Sequence, residues 1–361
     1  MPDDRADSLR SILDRSYDAS DQPALIQQTE QWRTAKPFAG MRILDATPVF
    51  ANTLAKYMPL LAGGADLTVS LSQLLPHDRQ TLGLLGQAGV PVVTDGDSSI
   101  EYDVVLDCAG VLAATPTRTG YVELTKSGER IYESCRHPVF LADDSRIKHI
   151  ETTLGTGDGF IRGLAHFGHT DLSGRSLVVF GSGKVGRGAA LKARGAGAEV
   201  TVVETNPRAQ PPADCTVITA DDVPAVRVGL ASAWCVVSAT GVRGALDPWA
   251  DTLIRSDAVL ANLGADDEFG PHMPPDRVLN DKAPVNFALA EPTRLRYLDA
   301  TFALHNACAL ALLVGGQRSG LNRPPRAIED EILAVVRASS AITGELAGIE
   351  QELRWQAPAD R

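Results

Sequence analysis

A chain of 361 residues that is 44% hydrophobic has material for two domains with cores of their own, and it contains no repeat or low-complexity tract. Its 45 acidic residues outnumber 34 basic ones, and the net charge of −11 argues against a general nucleic-acid or anionic-membrane surface. The first 20 residues are charged throughout, no run approaches ~18 apolar residues, and five widely spaced cysteines form no C-x-x-C, so a reduced cytoplasmic protein without signal peptide or membrane span is expected.

Residues 1–35 read as amphipathic and helical, with Leu9, Ile12 and Leu13 on one stripe and Leu25, Ile26 and Trp32 on another, suited to packing or oligomer contacts. From Gly40 an α/β alternation begins. MRILDATP reads as a strand, 52–61 as a helix stopped at Gly63-Gly64, ADLTVS as a strand, 78–88 as a helix, and VPVV and YDVVLDCAG as strands. GYVELTKSG reads as a strand running into a polar turn. HPVFLADDSRIKHIETTLGTGDGFIRGLAHF opens as a strand and continues as a helix, which Asp143, Asp144 and Ser145 would cap.

Residues 172–207, LSGRSLVVFGSGKVGRGAALKARGAGAEVTVVETNP, carry the densest signal. Ser176 to Phe180 form an apolar, β-branched run without polar alternation, as a parallel strand buried on both faces requires. Gly181, Gly183 and Gly186 then supply G-x-G-x-x-G where strand should turn into helix: the first for the tight turn, the second for approach of a pyrophosphate, the third for packing helix on strand. The pyrophosphate would rest on the free N–H groups and positive dipole end of a helix opening at Lys184 and Val185. Val200 to Val203 form the next strand, and Glu204, 18 residues beyond Gly186, ends it. A carboxylate there accepts from both ribose hydroxyls and repels a 2′-phosphate, which favours NAD over NADP. WCVVSATG and AVLANLGADDEFG are further strands, and the residues at their carboxyl ends are either cofactor neighbours (Ser238, Thr240, Gly241, Asn262) or simple polar turns. A helix over 293–313, Gly315-Gly316 and a closing helix over 325–353 complete the chain.

The order of these pieces resembles the S-adenosylhomocysteine hydrolase family from about residue 40 to 340. The family's G-Y-G-D-V-G-K-G is similar to GSGKVGRG at 181–188, and its T-E-I-D-P to VETNP, which places Glu204 on a ribose-binding glutamate. S-E-E-T-T-T-G resembles VELTKSG, matching Thr125 and Ser127 to nicotinamide-side threonines, and N-D-S-V-T-K-S-K-F-D-N resembles DDSRIKHIETT, placing Lys148 on the active-site lysine. T-T-T-G, N-I-G-H and V-N-L-G-C-A-M-G-H-P-S resemble SATG, NLGA and VNFALAEPT, placing Asn286 on a cofactor-contacting asparagine. The resemblance implies an α/β fold of two Rossmann-like parallel-sheet domains with a catalytic cleft between them. It assigns residues 1–157 and 291–361 to a substrate domain and 158–290 to an NAD-binding domain, in a dimer or tetramer of identical chains.

The departures bear on function. The histidine of the family's H-M-T-V-E-T falls on Pro48, its adenosine-binding aspartate on Cys108, and the second glutamate of S-E-E-T on Leu124. The aspartate and asparagine after the lysine become Thr152 and Thr153, of which Thr153 stays a candidate cofactor contact. The histidines of N-I-G-H and G-H-P-S become Ala265 and Glu291, and the family's lysine- and tyrosine-containing tail has no counterpart in QELRWQAPADR. Hydrolysis of S-adenosylhomocysteine needs several proton transfers, each helped roughly 10²–10⁴-fold by a positioned acid or base. Without those groups, efficient adenosylhomocysteinase activity is not expected.

Lys148 is the leading catalytic candidate: near a nicotinamide and partly buried, its amine would take a proton from a substrate hydroxyl as hydride leaves the same carbon. A solvated helix lysine is the alternative. Glu291, before Pro292 at an expected helix start, binds a cationic amine, acts as a base, or merely complements the helix dipole. Asp107 and Glu123, at strand ends, complete the set, with structural or ion-pair roles as alternatives. The histidines lack H-E-x-x-H or comparable spacing, so no metal site is expected. The leading reading is an NAD-dependent oxidoreductase of specialised metabolism that moves hydride to or from an alcohol or amine carbon of a small polar substrate. Beside it stand a hydrolase or lyase using internal NAD redox on a nucleoside-like thioether, and a non-catalytic NAD-binding regulatory module. A D-2-hydroxyacid dehydrogenase would carry an arginine just after the strand in ANLGADDEF, and none is present.

Overall fold

Two parallel sheets organise the chain, which the computed structural model describes over residues 4–96, 99–207, 209 and 211–354. One compact unit comprises Met1–Ile150 with Leu295–Arg361, the other Glu151–Arg294.

In the first unit the strands are β1 (Arg42–Asp45), β2 (Asp66–Leu71), β3 (Val92–Thr94), β4 (Tyr102–Asp107), β5 (Thr117–Glu123), β6 (Pro138–Leu141) and β12 (Gly320–Asn322). They lie in the order β12-β6-β5-β4-β1-β2-β3, every pair parallel. β4 is buried along its whole length, as a central strand covered on both faces must be. The helices are α1 (Asp4–Leu13), α2 (Pro23–Ala35), α3 (Thr53–Ala62), α4 (Arg79–Gln87), the short α5 (Glu129–Tyr132), α10 (Leu295–Val314), α11 (Arg326–Ser339) and α12 (Thr343–Glu352). Every residue of α3 is buried, including Lys56, so this helix is a core element and not an amphipathic cover. α10 is long and apolar enough to cross a bilayer, but 67% of its apolar window is buried inside the protein, and it carries Asp299, His305 and Asn306 into the core.

One sequence expectation needs correction. The closing helix over 325–353 is broken into α11 and α12, because Ser340 turns to extended backbone (φ −82°, ψ 149°) and its Oγ accepts the Ile342 N–H at 3.3 Å. Ahead of the helix entering the second unit, residues Ala142–Asp144 form a single 3-10 turn, and Ser145 Oγ accepts a helical N–H, that of Lys148, at 3.2 Å. The helix starting there widens to a π-helical segment over Ile150–Gly155, within which the chain enters the second unit.

The second unit holds β7 (Ser176–Phe180), β8 (Glu199–Glu204), β9 (Thr216–Thr219), β10 (Cys235–Ser238) and β11 (Val259–Asn262), parallel in the order β11-β10-β7-β8-β9. α6 (Thr156–His166) and α7 (Lys184–Gly195) cover one face, where Phe160, Leu164, Ala189 and Ala193 pack on Leu177 and Val179. α8 (Val223–Ser232) and α9 (Ala250–Ile254) cover the other, where Val226, Leu230 and Leu253 pack on Val178 and Val236. Strand order reverses between β7 and β10, and in such sheets a ligand lies at the carboxyl ends beside the reversal.

Candidate cofactor pocket and strand-end acids

A cavity of about 570 Å³ opens at that reversal in the second unit, lined among others by Gly181, Ser182, Gly183, Glu204, Thr240 and Trp249. Gly181 adopts φ +89°, and a Cβ there would lie 2.5 Å from the Ala239 carbonyl oxygen, so the turn admits only glycine. Gly186 packs against the Gly181 carbonyl, which lets α7 start close to β7. A Cβ on Gly183 would meet nothing within 4 Å. The loop thus presents bare backbone, and the opening of α7 at Lys184 and Val185, to open space, which is the cradle a pyrophosphate needs.

Glu204 is tied to this turn. Its Oε2 accepts from the Ser182 N–H at 2.8 Å and the Ser182 hydroxyl at 2.6 Å, and its Oε1 from the N–H groups of Thr205 at 2.8 Å and Asn206 at 2.9 Å. Partial burial pushes its pKa up, but the Asn206, Ser182 and Thr205 donors outweigh that and hold it below the ordinary carboxylate value. The group is an anion positioned beside the cradle, as the ribose contact requires.

Thr240, Gly241 and Asn262 also hold the loops around them in place. Thr240 and Gly241 are bound by Glu268, a buried carboxylate that also accepts from Ser238 Oγ: Oε2 takes the Thr240 N–H and hydroxyl, both at 2.8 Å, and Oε1 the Gly241 N–H at 2.7 Å. Asn262 uses its amide N–H groups on the carbonyls of Gly264, Asp266 and Lys282, bracing the loop after β11. Asn286 is buried, with its Cβ against Gly159 of α6, and Thr153 is buried at the π-helical segment with its carbonyl against Gly188 of α7. Glu291 lies in the bend before α10, which starts four residues later at Leu295, so it is not a first-turn acid. Its carbonyl accepts from Arg162 at 2.9 Å.

The first unit gathers the remaining candidates. Asp107 and Glu123 are paired across β4 and β5, and both are fully buried. Asp107 accepts from Tyr132 Oη at 2.5 Å and from the N–H groups of Cys108 and Leu112 at 2.8 and 3.0 Å. Burial nonetheless lifts its pKa to about 6. Glu123 Oε1 accepts from the Ala109 N–H at 2.8 Å and from Thr125 Oγ1 at 3.0 Å, and Thr125 in turn shares a 2.7 Å bond with Ser127. Its Oε2 is buried without a hydrogen-bond partner among the described residues, and burial, aided by the Asp107 charge, lifts its pKa to about 7. Lys148 is 1% exposed, not a solvated helix lysine. Thr125 and Ser127 therefore belong with the acids of this unit, while the glycine turn, Glu204, Thr240, Gly241, Asn262, Asn286, Thr153 and Glu291 belong to the other.

Sequence reasoning missed four members of these clusters, Asp45, Lys56, His305 and Glu268. Lys56 is fully buried in an ion pair with Asp45 at the end of β1, and its ammonium also donates to Thr47 Oγ1 at 2.7 Å. Desolvation holds the Lys56 pKa well below that of an exposed lysine, with Cys108 opposing. His305 Nε2 donates to the Val122 carbonyl at 2.8 Å, and burial, then the Lys56 and Lys148 charges, keep the ring neutral. Glu268 follows two other acids in the chain, which disguised it. For Asp45 a signal exists: like Asp107, Glu123 and Glu204, it is an acid closing an apolar strand.

Residues 152–270 match the family model of the NAD-binding domain of S-adenosyl-L-homocysteine hydrolase. The chain is 27% identical over 273 residues to the adenosylhomocysteinase of Thermoplasma acidophilum, covering 67% of this chain and 66% of that one. Against the adenosylhomocysteinase of Pyrococcus abyssi the identity is 28% over 216 residues, 51% of each. The match thus spans between half and two thirds of these curated relatives. A solved structure of a dipicolinate synthase chain from Bacillus halodurans superposes with a TM-score of 0.48 at 14% identity, covering 76% of this chain and 98% of that chain. The matched family's cofactor, NAD, is the dinucleotide for which the glycine cradle and Glu204 are built.

Proposed function

Because the chain is a divergent relative of the adenosylhomocysteinases that keeps their NAD-binding domain, we propose that it is an NAD-dependent oxidoreductase acting on a small polar substrate other than S-adenosylhomocysteine. The observation that carries this reading is the division between its two sites. The NAD cradle keeps its glycines and its acid, while Cys108 and Leu124, both 4% exposed, occupy first-unit positions where the family pattern has carboxylates.

Bound NAD supplies a hydride acceptor or donor. The residues of the chain supply the proton chemistry. In the oxidative direction an alcohol or amine carbon loses hydride while its O–H or N–H loses a proton, and the Lys148 amine takes that proton. The step uses the neutral amine, the form with a lone pair that can accept a proton. Glu123, with a pKa near 7 and one unengaged oxygen, is suited to hold a hydroxyl or amine donor of the substrate. Asp107 is committed to Tyr132 and the backbone of its own turn and serves to shape the site.

The test is direct. The full chain supplied with NAD and a panel of small alcohols, polyols and amines is expected to form NADH with one of them, and S-adenosylhomocysteine is expected to yield no adenosine at a comparable rate. Efficient release of adenosine would overturn the reading. Lys148→Met is expected to abolish NADH formation while leaving NAD binding within about twofold; unchanged turnover would remove Lys148 from the chemistry.

A further inference from the structure

Glu268 lies where two turns of the second unit meet, and it is 1% exposed. Its Oε2 accepts from the Thr240 N–H and hydroxyl, both at 2.8 Å, and from the Ser238 hydroxyl, and its Oε1 accepts the Gly241 N–H at 2.7 Å. Both oxygens therefore take an obligate backbone donor, as an ionised carboxylate does. A Cβ on Gly264 would run into Glu268 Oε1, so glycine keeps the space that the carboxylate fills. Two backbone bonds lace the turns together beside it, from the Gly244 N–H to the Asp267 carbonyl at 2.9 Å and from the Leu246 N–H to the Glu268 carbonyl at 2.8 Å. Among the described residues no cation pairs with Glu268; Lys282, held against the same loop, pairs with Asp267 at 3.1 Å instead. A buried charge that hydrogen bonds satisfy but no opposite charge cancels still acts on its surroundings.

We propose that the Glu268 carboxylate makes the pocket bind oxidised NAD in preference to NADH, and so sets turnover in the direction of substrate oxidation. The inference deepens the proposed function and rests on it. The sheet order β11-β10-β7-β8-β9 puts Glu204 on one side of the glycine turn and the ends of β10 and β11 on the other. With the pyrophosphate on that turn and the adenosine ribose on Glu204, the nicotinamide half extends toward the turn after β10. Thr240 of that turn lines the pocket, and Glu268 is bonded directly to it. The oxidised nicotinamide ring is a cation and the reduced ring is neutral, so a fixed anion behind this wall stabilises the first and not the second. The substrate that the protein meets is then the reduced partner. Its carbon gives up hydride to the bound NAD and its O–H or N–H proton goes to Lys148, leaving a carbonyl compound or an imine as product.

The test titrates the full chain, after release of bound nucleotide, with NAD, NADH and ADP-ribose by calorimetry. One unit charge about 10 Å away, through an effective dielectric of about 20, changes an equilibrium roughly tenfold or more. The unsubstituted protein is therefore expected to bind NAD more tightly than NADH, by about threefold or more. Glu268→Gln removes the charge at nearly constant size, and is expected to lower the ratio of NAD to NADH affinity about fivefold or more. ADP-ribose, which lacks nicotinamide, reports any loosening of the pocket. Equal weakening of NAD, NADH and ADP-ribose in this variant would reduce Glu268 to a brace between two turns and overturn the proposal. So would an unsubstituted protein that binds NADH as tightly as NAD or more tightly, a result that decides the matter even if the glutamine variant does not fold. Binding of neither dinucleotide would overturn the cofactor assignment itself, and this inference with it.

Discussion

Replacing Glu204 by glutamine is the sharpest test of how the cofactor pocket works. The side chain keeps its shape but exchanges one carboxylate oxygen for an amide that cannot accept. The carboxylate takes five protein donors, two each from Ser182 and Thr205 and one from Asn206, and a ribose would add its hydroxyls. The amide group of glutamine would face either the Ser182 N–H or the Thr205 and Asn206 N–H groups, donor against donor. A hydrogen bond to a charged group contributes about 1.5–3 kcal/mol, and losing one ribose bond of that kind weakens NAD about 10- to 100-fold. The charge that repels a 2′-phosphate disappears as well, so the preference for NAD over NADP is expected to shrink by at least the same factor. Calorimetric titration of both dinucleotides measures this. NAD affinity within twofold of the unsubstituted protein, or an undiminished preference, would refute the role given to Glu204. Its lowered pKa also fixes a pH window. The contribution of this carboxylate is present above the ordinary carboxylate range and is lost as the pH falls through the lowered value, so NAD affinity should be insensitive to this group between about pH 6 and 8.

Asp299 of α10 is fully buried beneath the start of α2, accepts the N–H groups of Ala24 and Leu25, and is raised by burial to about 7. With a raised pKa, its contribution to stability is full below the unfolded value near 4 and is lost as the pH rises toward 7, with a slope of about 1.4 kcal/mol per pH unit. Denaturant unfolding of Asp299→Asn between pH 4.5 and 7 should lack that slope, and an identical pH profile would contradict the burial argument. Gly188→Ala would drive a methyl group into the Thr153 carbonyl where α7 meets the π-helical segment, and a loss of about 1–3 kcal/mol in unfolding free energy is expected; an unchanged midpoint would mean that the two segments separate freely.

The nucleotide-binding half was legible because its requirements are local. A tight turn, a helix start and a strand-ending acid fall within 24 residues, Gly181 to Glu204, and each demands a particular residue type at a particular spacing. Parallel strands announced themselves in the same way, by apolar runs such as SLVVF and YDVVLD. The first-unit cluster was legible only in pieces. Asp107 and Glu123 could be singled out at their strand ends, but the Asp45–Lys56 pair joins a strand to a helix 11 residues on, and His305 reaches the Val122 carbonyl across 183 residues. Lys56 also sits on a helix buried on all sides, where periodicity gives no hint that a charge is enclosed. Asn262 shows what spacing does not reveal: a polar residue at a strand end suggests a ligand contact, and in the fold its amide N–H groups also brace nearby backbone carbonyls.

The claim that most of the account depends on is that the second unit holds NAD and that substrate chemistry changes its redox state. The direct measurement is to purify the full chain, release its bound nucleotide, identify it, and follow the oxidised and reduced forms after reconstitution with NAD and a substrate panel. NAD recovered or rebound at the glycine cradle, and converted to NADH by one small polar compound, is the expected result. A protein that binds no nicotinamide nucleotide, or one whose bound NAD stays oxidised while S-adenosylhomocysteine is efficiently cleaved, would contradict it.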